Sequence, residues 1–387
     1  MEQFDFGGQL TPDNFQRFLA YAGHNNVSDV LFQSGGKIWV DRYGRQLPMT
    51  EFQLDSFELE SVIDQVFNPD IKTLLKKGRI VNRPLQLAGD AQQSRGLDRG
   101  ESMRFRANFT QATIGKVEAG ISLTMRVLNS QIPALADMHL PDDLVRSLLP
   151  AAGLGFVCGE TGSGKSTLLA SIYQHSGENN RDRKIITVES PVEYILGGPK
   201  WIAPEAGQSQ VGRDVESFAA FIEESALRRS PKIIGIGELL ERQAFDASLV
   251  AGKSGHFCLG TMHVKTCGDS IQRSLLMYPA EMRESVAFDV LNILSYIIVQ
   301  RLLKTTDGKR QAVREYVVFD YQLRRKLLEL PYTQWGRFID DLLMQQQSTI
   351  VHHAWNLYRE ERIDESEMIE VAGYLDYMRL KEGKYGH

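Results

Sequence analysis

Apolar positions along the chain change their period several times, and each change predicts an element. After Thr11-Pro12-Asp13, the residues Phe15, Phe18, Leu19 and Ala22 recur at helical spacing and predict a helix ending near Gly23. Short apolar runs follow: Val30-Leu31-Phe32 and Lys37-Ile38-Trp39-Val40 flank Gly35-Gly36 as a strand pair, and Asp41-Arg42-Tyr43-Gly44-Arg45 turns the chain toward Leu47. Thr50 and Gln53 read as a capping box for a helix bearing Leu54, Phe57, Val62, Ile63, Val66 and Phe67. Strand patterns return at Ile80 to Leu87, Met103 to Phe109 and Val117 to Val127. Residues 1–128 therefore predict a small α+β domain. Between two of its strands, Ala88 to Ser102 has almost nothing to bury and reads as a mobile surface loop.

Residues 129–140, with Pro133 inside and Pro141 just beyond, read as an interdomain linker and hinge. From 141 to 330 strand-like runs alternate with helical ones: Gly155 to Cys158, Lys184 to Glu189, Lys232 to Gly237 and Phe257 to Thr261. That alternation predicts an α/β domain with a mostly parallel sheet covered by helices. The most apolar stretch, Val286 to Leu303, is broken by Asp289, Asn292, Ser295, Gln300 and Arg301, and reads as a buried helix rather than a membrane span. Residues 331–387 predict a helical segment, with Met368, Val371, Ala372, Leu375 and Met378 on one packing face after an Asp364/Glu367 cap.

Bulk properties narrow the classes. A chain of 387 residues is too long for one ordinary core. Its net charge of −5 gives no general attraction to nucleic acid or anionic lipid, so no direct sequence-specific nucleic-acid binding is expected. Basic residues such as Lys72, Lys76, Lys77 and Arg79 read as a solvated helix face. The three cysteines, Cys158, Cys258 and Cys267, lack metal-type spacing and read as reduced thiols of a cytosolic protein. Met1 to Leu10 carries Glu2 and Asp5 without an apolar core, which is not the pattern of a signal peptide.

The chemistry lies in Gly159-Glu160-Thr161-Gly162-Ser163-Gly164-Lys165-Ser166, a complete G-x-x-x-x-G-K-S phosphate loop between a strand pattern and a helix pattern that begins Thr167-Leu168-Leu169. A triphosphate needs many convergent donors, and only a loop without bulky side chains lets backbone N–H groups approach it closely. Lys165 would reach the β- and γ-phosphates, Ser166 would place its hydroxyl on Mg²⁺, and the helix start would turn its positive dipole end to the phosphates. ATP with Mg²⁺ is thus the expected ligand. A chance glycine-rich turn is the alternative, and the flanking strand and helix weigh against it.

Hydrolysis further requires a group that positions water. Lys232-Ile233-Ile234-Gly235-Ile236-Gly237-Glu238 is an apolar strand ending in a carboxylate, which makes Glu238 the leading base and Mg²⁺-partner candidate, against a plain helix-capping glutamate. Lys184-Ile185-Ile186-Thr187-Val188-Glu189 ends likewise in Glu189, with Glu193 soon after Pro191, and either carboxylate would orient Mg²⁺-bound water. His256 and His263 bracket the strand Phe257 to Thr261 and would face opposite ways, so they do not share a metal. His263 would sense the γ-phosphate, or is a satisfied core histidine. His352 and His353, adjacent on a helix, point apart.

Taken in order, these motifs resemble those of the secretion and pilus traffic ATPases over nearly the whole chain. Thr187-Val188-Glu189-Ser190-Pro191-Val192-Glu193-Tyr194 looks like that family's Asp box, Gly237-Glu238 like the Walker B end, and Gly255-His256 with Gly260-Thr261-Met262-His263 like its His box. Ala226-Leu227-Arg228-Arg229-Ser230-Pro231 and Gln300-Arg301-Leu302 also sit where similar proteins carry such runs. Within the group the chain looks most like the Dot-type ATPases, including TraJ-like proteins of conjugative plasmids.

The resemblance implies a RecA-like P-loop domain with a PAS-like N-terminal α+β domain and a C-terminal helical segment. It also implies a homo-hexamer and arginines donated to the nucleotide by the N-terminal domain, matched here by Arg104, Arg106 and Arg126. An ordinary solvated strand face is the other account of Arg104 and Arg106. Implied partners are inner-membrane and cytoplasmic components of a type IV secretion or conjugation machine, which would hold a cytoplasmic protein peripherally at the inner membrane. Departures from the pattern are Ser190 where an Asp is usual, Leu239-Leu240-Glu241-Arg242 without the usual Arg-Asp pair, and no A-I-R-N-L-I-R-E segment near Leu323 to Gln345. The first implies slow turnover, and the last lowers a pilus-retraction reading.

Overall fold

The fold follows from a computed structural model that describes residues 4–128 and 131–385. The chain divides into two compact units, Met1–Gln131 and Ile132–His387. Of the expected linker, Asn129 and Ser130 lie outside the described residues.

The first unit is a six-stranded antiparallel sheet with helices on one face. Its helices are α1 (Pro12–His24), α2 (Ser56–Val66) and α3 (Asp70–Lys76), and its strands β1 (Val27–Gln33), β2 (Trp39–Arg42), β3 (Arg45–Pro48), β4 (Val81–Ala88), β5 (Ser102–Ile114) and β6 (Val117–Leu128), in the order β3-β2-β1-β6-β5-β4. Helix α1 starts where Thr11 and Asn14 bond each other's backbone N–H, with Pro12 at the first helical position. Its Phe15, Phe18, Leu19 and Ala22 are buried as expected, against Phe105, Phe109, Leu123 and Met125 of the sheet.

The capping box of α2 is not Thr50/Gln53. Asp55 accepts the Phe57 N–H while Glu58 accepts the Asp55 N–H, so the helix begins five residues later and leaves Phe57 exposed. Thr50 instead accepts the Ile38 N–H and donates to the Phe52 carbonyl, because a hydroxyl serves a strand connection as readily as a helix start. The loop after β4 does bury one residue, Leu97.

The second unit is a three-layer α/β sandwich. Its strands are β7 (Gly153–Cys158), β8 (Ile185–Glu189), β9 (Gly207–Gln210), β10 (Ile233–Ile236), β11 (Phe257–Met262), β12 (Leu294–Lys304) and β13 (Arg310–Val318), in the order β13-β12-β7-β11-β10-β8-β9, with only the β12/β13 pair antiparallel. Helices α4 (Asp142–Ser147) and α5 (Lys165–Asn179) precede β8, and the three-residue α6 (Phe218–Ala220) precedes α7 (Arg242–Lys253), α8 (Cys267–Leu276) and α9 (Ala280–Ile293). Leu154, Phe156 and Cys158 alternate toward the layer of α7, α8 and α9, while Val157 faces the core that holds Leu168, Leu169 and Ile172 of α5. Burial on both sides explains the near-continuous apolar runs.

Val286 to Leu303 is not one helix. Helix α9 stops at Ile293 and the remainder is β12, whose Tyr296-Ile297-Ile298-Val299 run pairs with β7. β-branched and aromatic residues that fill a sheet's centre carry the same apolarity as a buried helix, and period alone does not separate the two.

The last elements are α10 (Tyr321–Leu328), α11 (Trp335–Gln345), α12 (Ile350–Arg359), α13 (Glu365–Ala372) and α14 (Tyr374–Lys381). Asp364 caps α13 through the Glu367 N–H, as expected. The anticipated single stripe breaks at Gly373, whose φ of 79° ends α13 and rotates the next helix: Tyr377 and Leu380 are buried, while Leu375 and Met378 are exposed. Among the described residues no helix is long and apolar enough to cross a membrane.

Candidate nucleotide site

The phosphate loop runs from the end of β7 into α5, at the carboxyl ends of the parallel strands, where α/β sheets form their binding crevices. Gly164 sits in the left-handed region (φ 84°) as the N-cap of α5, and a Cβ there would lie 2.7 Å from Gln300 Nε2. At Gly159 (φ 142°) a Cβ would lie 2.3 Å from the Gln300 carbonyl. Both glycines thus answer a conformational demand and a close neighbour at once.

Lys165 is buried, and its Nζ donates to the carbonyls of Gly159 and Glu160, each at 2.8 Å. Burial pushes its ammonium below the usual lysine range, and the chief charge acting the other way is Glu238. In the same loop Ser163 Oγ is buried and, among the described residues, has no hydrogen-bond partner. A donor held there is costly unless a ligand meets it, so the orphan hydroxyl and the glycine cradle fit a bound phosphate. Glu160 and Thr161 lie exposed at the loop's outer edge, Glu160 3.4 Å from Lys265 Nζ, and Thr167 Oγ1 is 2.8 Å from the Tyr194 hydroxyl.

One cleft brings Ser166 of α5 together with Glu189 at the end of β8, Ser190 and Glu193 just after it, and Gly237 and Glu238 after β10. These oxygens are of the kind Mg²⁺ takes. Glu189 accepts from Thr187 Oγ1 at 2.6 Å and from Gln208 Nε2 at 3.3 Å, and burial raises its carboxyl above the usual range. Gln208, on the edge strand β9, also donates to the Tyr194 carbonyl and accepts the Leu196 N–H, so one amide fixes Glu189 and the segment after it. No sequence motif marked Gln208, because a single glutamine on a four-residue edge strand carries no pattern.

His263 Nε2 lies 3.5 Å from Glu238 Oε1, whereas His256 Nδ1 is 2.6 Å from the Pro231 carbonyl at the opposite end of β11. The two histidines are indeed separate. His352 Nδ1 is engaged by Oγ1 of Thr349, the N-cap of α12.

Arg104, Arg106 and Arg126 belong to the first unit. Arg106 and Arg126 stand opposite each other across β5 and β6, and Arg104 follows two positions along, on the sheet face away from Phe105 and Val127. Arg126 Nε donates to Asp29 Oδ1 at 2.8 Å. The three cysteines are buried and unbridged, and burial raises each thiol.

A family model for type II/IV secretion system proteins matches residues 15–357. The type IV pilus ATPase PilU of Pseudomonas aeruginosa is 28% identical over 305 residues, which are 79% of this chain and 74% of PilU. Among solved structures, the Legionella pneumophila ATPase DotB matches at TM-score 0.86 and 30% identity over 98% of each chain. The pilus retraction motor PilT with bound ADP matches at TM-score 0.73 and 26% identity, over 92% of this chain and 96% of PilT. Both likenesses carry the RecA-like domain, the N-terminal domain and the C-terminal helices together.

Proposed function

The chain belongs to the type II/IV secretion system protein family and is a traffic ATPase of secretion or pilus systems; on that premise we propose that it drives a type IVB secretion or conjugative transfer apparatus as a ring of six. The observation that carries the reading is the meeting of Lys165, Ser166, Glu189 and Glu238 around one phosphate loop, in a fold that matches DotB along its whole length. The ring would work in the cytoplasm, held to the inner membrane by machine components.

In this reading Lys165 and the loop amides hold the β- and γ-phosphates, and Glu238 orients the attacking water and accepts its proton. Glu189, fixed by Thr187 and Gln208, keeps the Mg²⁺ side of the cleft in place, with His263 set against Glu238. The Ser166 hydroxyl, with Glu189 and Glu238 nearby, would hold Mg²⁺, which would supply charge neutralisation to the phosphates. Arg104, Arg106 and Arg126 are the residues through which the N-terminal domain stabilises charge that exists only during transfer. Residues 129–140 link residues 1–128 to an ATPase domain of 141–330, with the hinge before the Leu135–Met138 turn that packs in the second unit, and 331–387 are the closing helical segment.

Phosphate release by purified chain with ATP and Mg²⁺, with mass in solution measured alongside, tests the proposal. The Lys165→Ala variant should lose nucleotide binding and turnover, and a variant hydrolysing at the parent rate would refute the site. Steady release well above a Glu238→Gln control would exclude a nucleotide-gated scaffold that hardly turns over, the possibility Ser190 raises. The likeness to PilU and PilT supports a pilus retraction motor as second reading, and twitching restored in a retraction mutant would establish it.

A further inference from the structure

We infer that Gln300 and Arg314 are positioning residues that tie the phosphate loop to residues 135–139, the first turn of the second unit, so that nucleotide on the loop is felt there. The inference rests on the proposed nucleotide site.

The connection is a continuous hydrogen-bonded chain through the core. Gln300 Nε2 donates to the Ser163 carbonyl of the loop at 2.6 Å, and Gln300 Oε1 accepts from Arg314 Nε at 2.6 Å. Arg314 Nη1 then donates to the Met138 carbonyl at 2.8 Å. Gln300 is 2% exposed, Arg314 8% and Ser163 5%, so water does not substitute for these bonds. Met138 closes the 3₁₀ turn Leu135–Met138, and His139 follows in the left-handed region. Leu135 is buried in the same core as Leu168, Leu169 and Ile172 of α5. The turn therefore touches the phosphate-loop helix by packing and the loop itself through the chain.

Register explains why these two residues meet. Gln300 and Arg314 are direct partners across the antiparallel β12/β13 pair, and β12 lies beside β7, whose end becomes the loop. The side chain at 300 reaches Gly164 and its carbonyl reaches Gly159, so Gln300 backs the loop at both glycines.

Arg314 is the unusual member. Among the described residues no carboxylate is paired with it, and a guanidinium buried with carbonyl and amide acceptors alone is a costly arrangement. Glu315 turns to the other face of β13 and is engaged with the Cys267 and Ile350 N–H groups. A polyphosphate in the loop would give the Arg314 charge its counterpart, two hydrogen bonds away. Binding would then tighten the chain from Ser163 to Met138 and stiffen the turn.

Hydrogen exchange at the backbone amides of 135–139, with and without saturating ADP and Mg²⁺, reads this directly. ADP should slow exchange there several-fold in the parent. Arg314→Met should weaken ADP binding about tenfold and, at saturating ADP, abolish the slowing at 135–139 while leaving protection of the loop amides. Gln300→Glu keeps an acceptor for Arg314 but loses the donor to Ser163, and should give the same two losses. It serves where circular dichroism shows Arg314→Met unfolded. Combined, the two substitutions should weaken binding little more than either alone, because they cut one chain.

Slowing at 135–139 that survives either substitution in the ADP-saturated protein, or additive losses of affinity, would overturn the inference. If the parent binds ADP but residues 135–139 do not respond, the inference fails while the nucleotide site stands. If the parent binds no ADP, or Lys165→Ala binds it equally well, the site itself fails.

Discussion

Glu238 Oε1 and His263 Nε2 stand 3.5 Å apart just beyond the ends of adjacent parallel strands. Their meeting is set by register: Ile236 pairs with Gly260, the Leu239 N–H reaches the Thr261 carbonyl at 2.9 Å, and the Thr261 hydroxyl binds the Gly237 carbonyl. Backbone on both sides thus holds the carboxylate toward the phosphate loop. Glu238→Gln removes the base and keeps the shape, so kcat should fall by about two to four decades while nucleotide affinity changes little. His263→Ala should cost less, because it touches the carboxylate rather than replacing it. Phosphate release set against binding of a fluorescent nucleotide separates the two effects, and equal losses in binding and turnover for Glu238→Gln would remove it from the base role.

The loop glycines should differ sharply under one and the same substitution. A Cβ on Gly159 would press on the Gln300 backbone carbonyl at 2.3 Å, which has no freedom to move within β12, whereas a Cβ on Gly162 would meet, beyond its chain neighbours, no heavy atom of the described residues within 4 Å. Gly159→Ala should therefore lose nucleotide binding and several degrees of Tm. Gly162→Ala should lose only the cost of holding alanine at positive φ, about 1–2 kcal/mol. Thermal melts with nucleotide titration check the ranking, and equal damage at both positions would show that crowding against Gln300 is not the constraint.

The sequence made the site more legible than the scaffold around it. Phosphate-loop, strand-end carboxylate and helix-start signals are local, so Lys165, Ser166, Glu189 and Glu238 could be assigned from spacing; the last three then line one cleft, and the Glu238 charge acts on the Lys165 ammonium beside it. What escaped depends on pairing between distant strands. Gln300 reads as a polar interruption of a helix and Arg314 carries no local signal until β12 and β13 place them opposite each other, and Gln208 needed the edge strand β9. The α2 start is ambiguous in the sequence because Thr50/Gln53 and Asp55/Glu58 offer the same capping pattern five residues apart, and only the strand bonds of Thr50 decide between them.

Asp29 and Arg126 give a test of whether the N-terminal arginines act or merely pack. Their ion pair is partly exposed, so breaking it from either side should cost at most about 1 kcal/mol of stability. A purely structural role predicts equal consequences for Asp29→Ala and Arg126→Ala. A role in phosphoryl transfer predicts that Arg126→Ala cuts turnover by two decades or more, with Tm nearly unchanged, while Asp29→Ala leaves turnover within a few-fold. Steady-state hydrolysis with matched melts for the two variants decides between these accounts.

Glu315 should make stability depend on pH in a direction opposite to that of a surface carboxylate. Its two oxygens accept the N–H groups of Cys267 and Ile350, the first residues of α8 and α12, at 2.8 and 3.3 Å. Two helix N-termini favour the anion, yet burial outweighs them and pushes the carboxyl from the ordinary 4.5 up to about 6. The folded state then binds the proton more tightly than the unfolded chain. The corresponding stability is fully present below pH 4.5 and is lost as pH rises through about 6, an amount of about 2 kcal/mol. Glu315→Gln cannot titrate, and Asp340 nearby remains in both proteins, so their difference follows the Glu315 carboxyl together with its coupling to Asp340. The parent's Tm advantage over Glu315→Gln, or the size of its deficit, should shift in the parent's favour by roughly 4–8 °C between pH 7.5 and pH 4.5. A shift in the opposite sense would show that the helix ends, and not burial, govern this carboxylate.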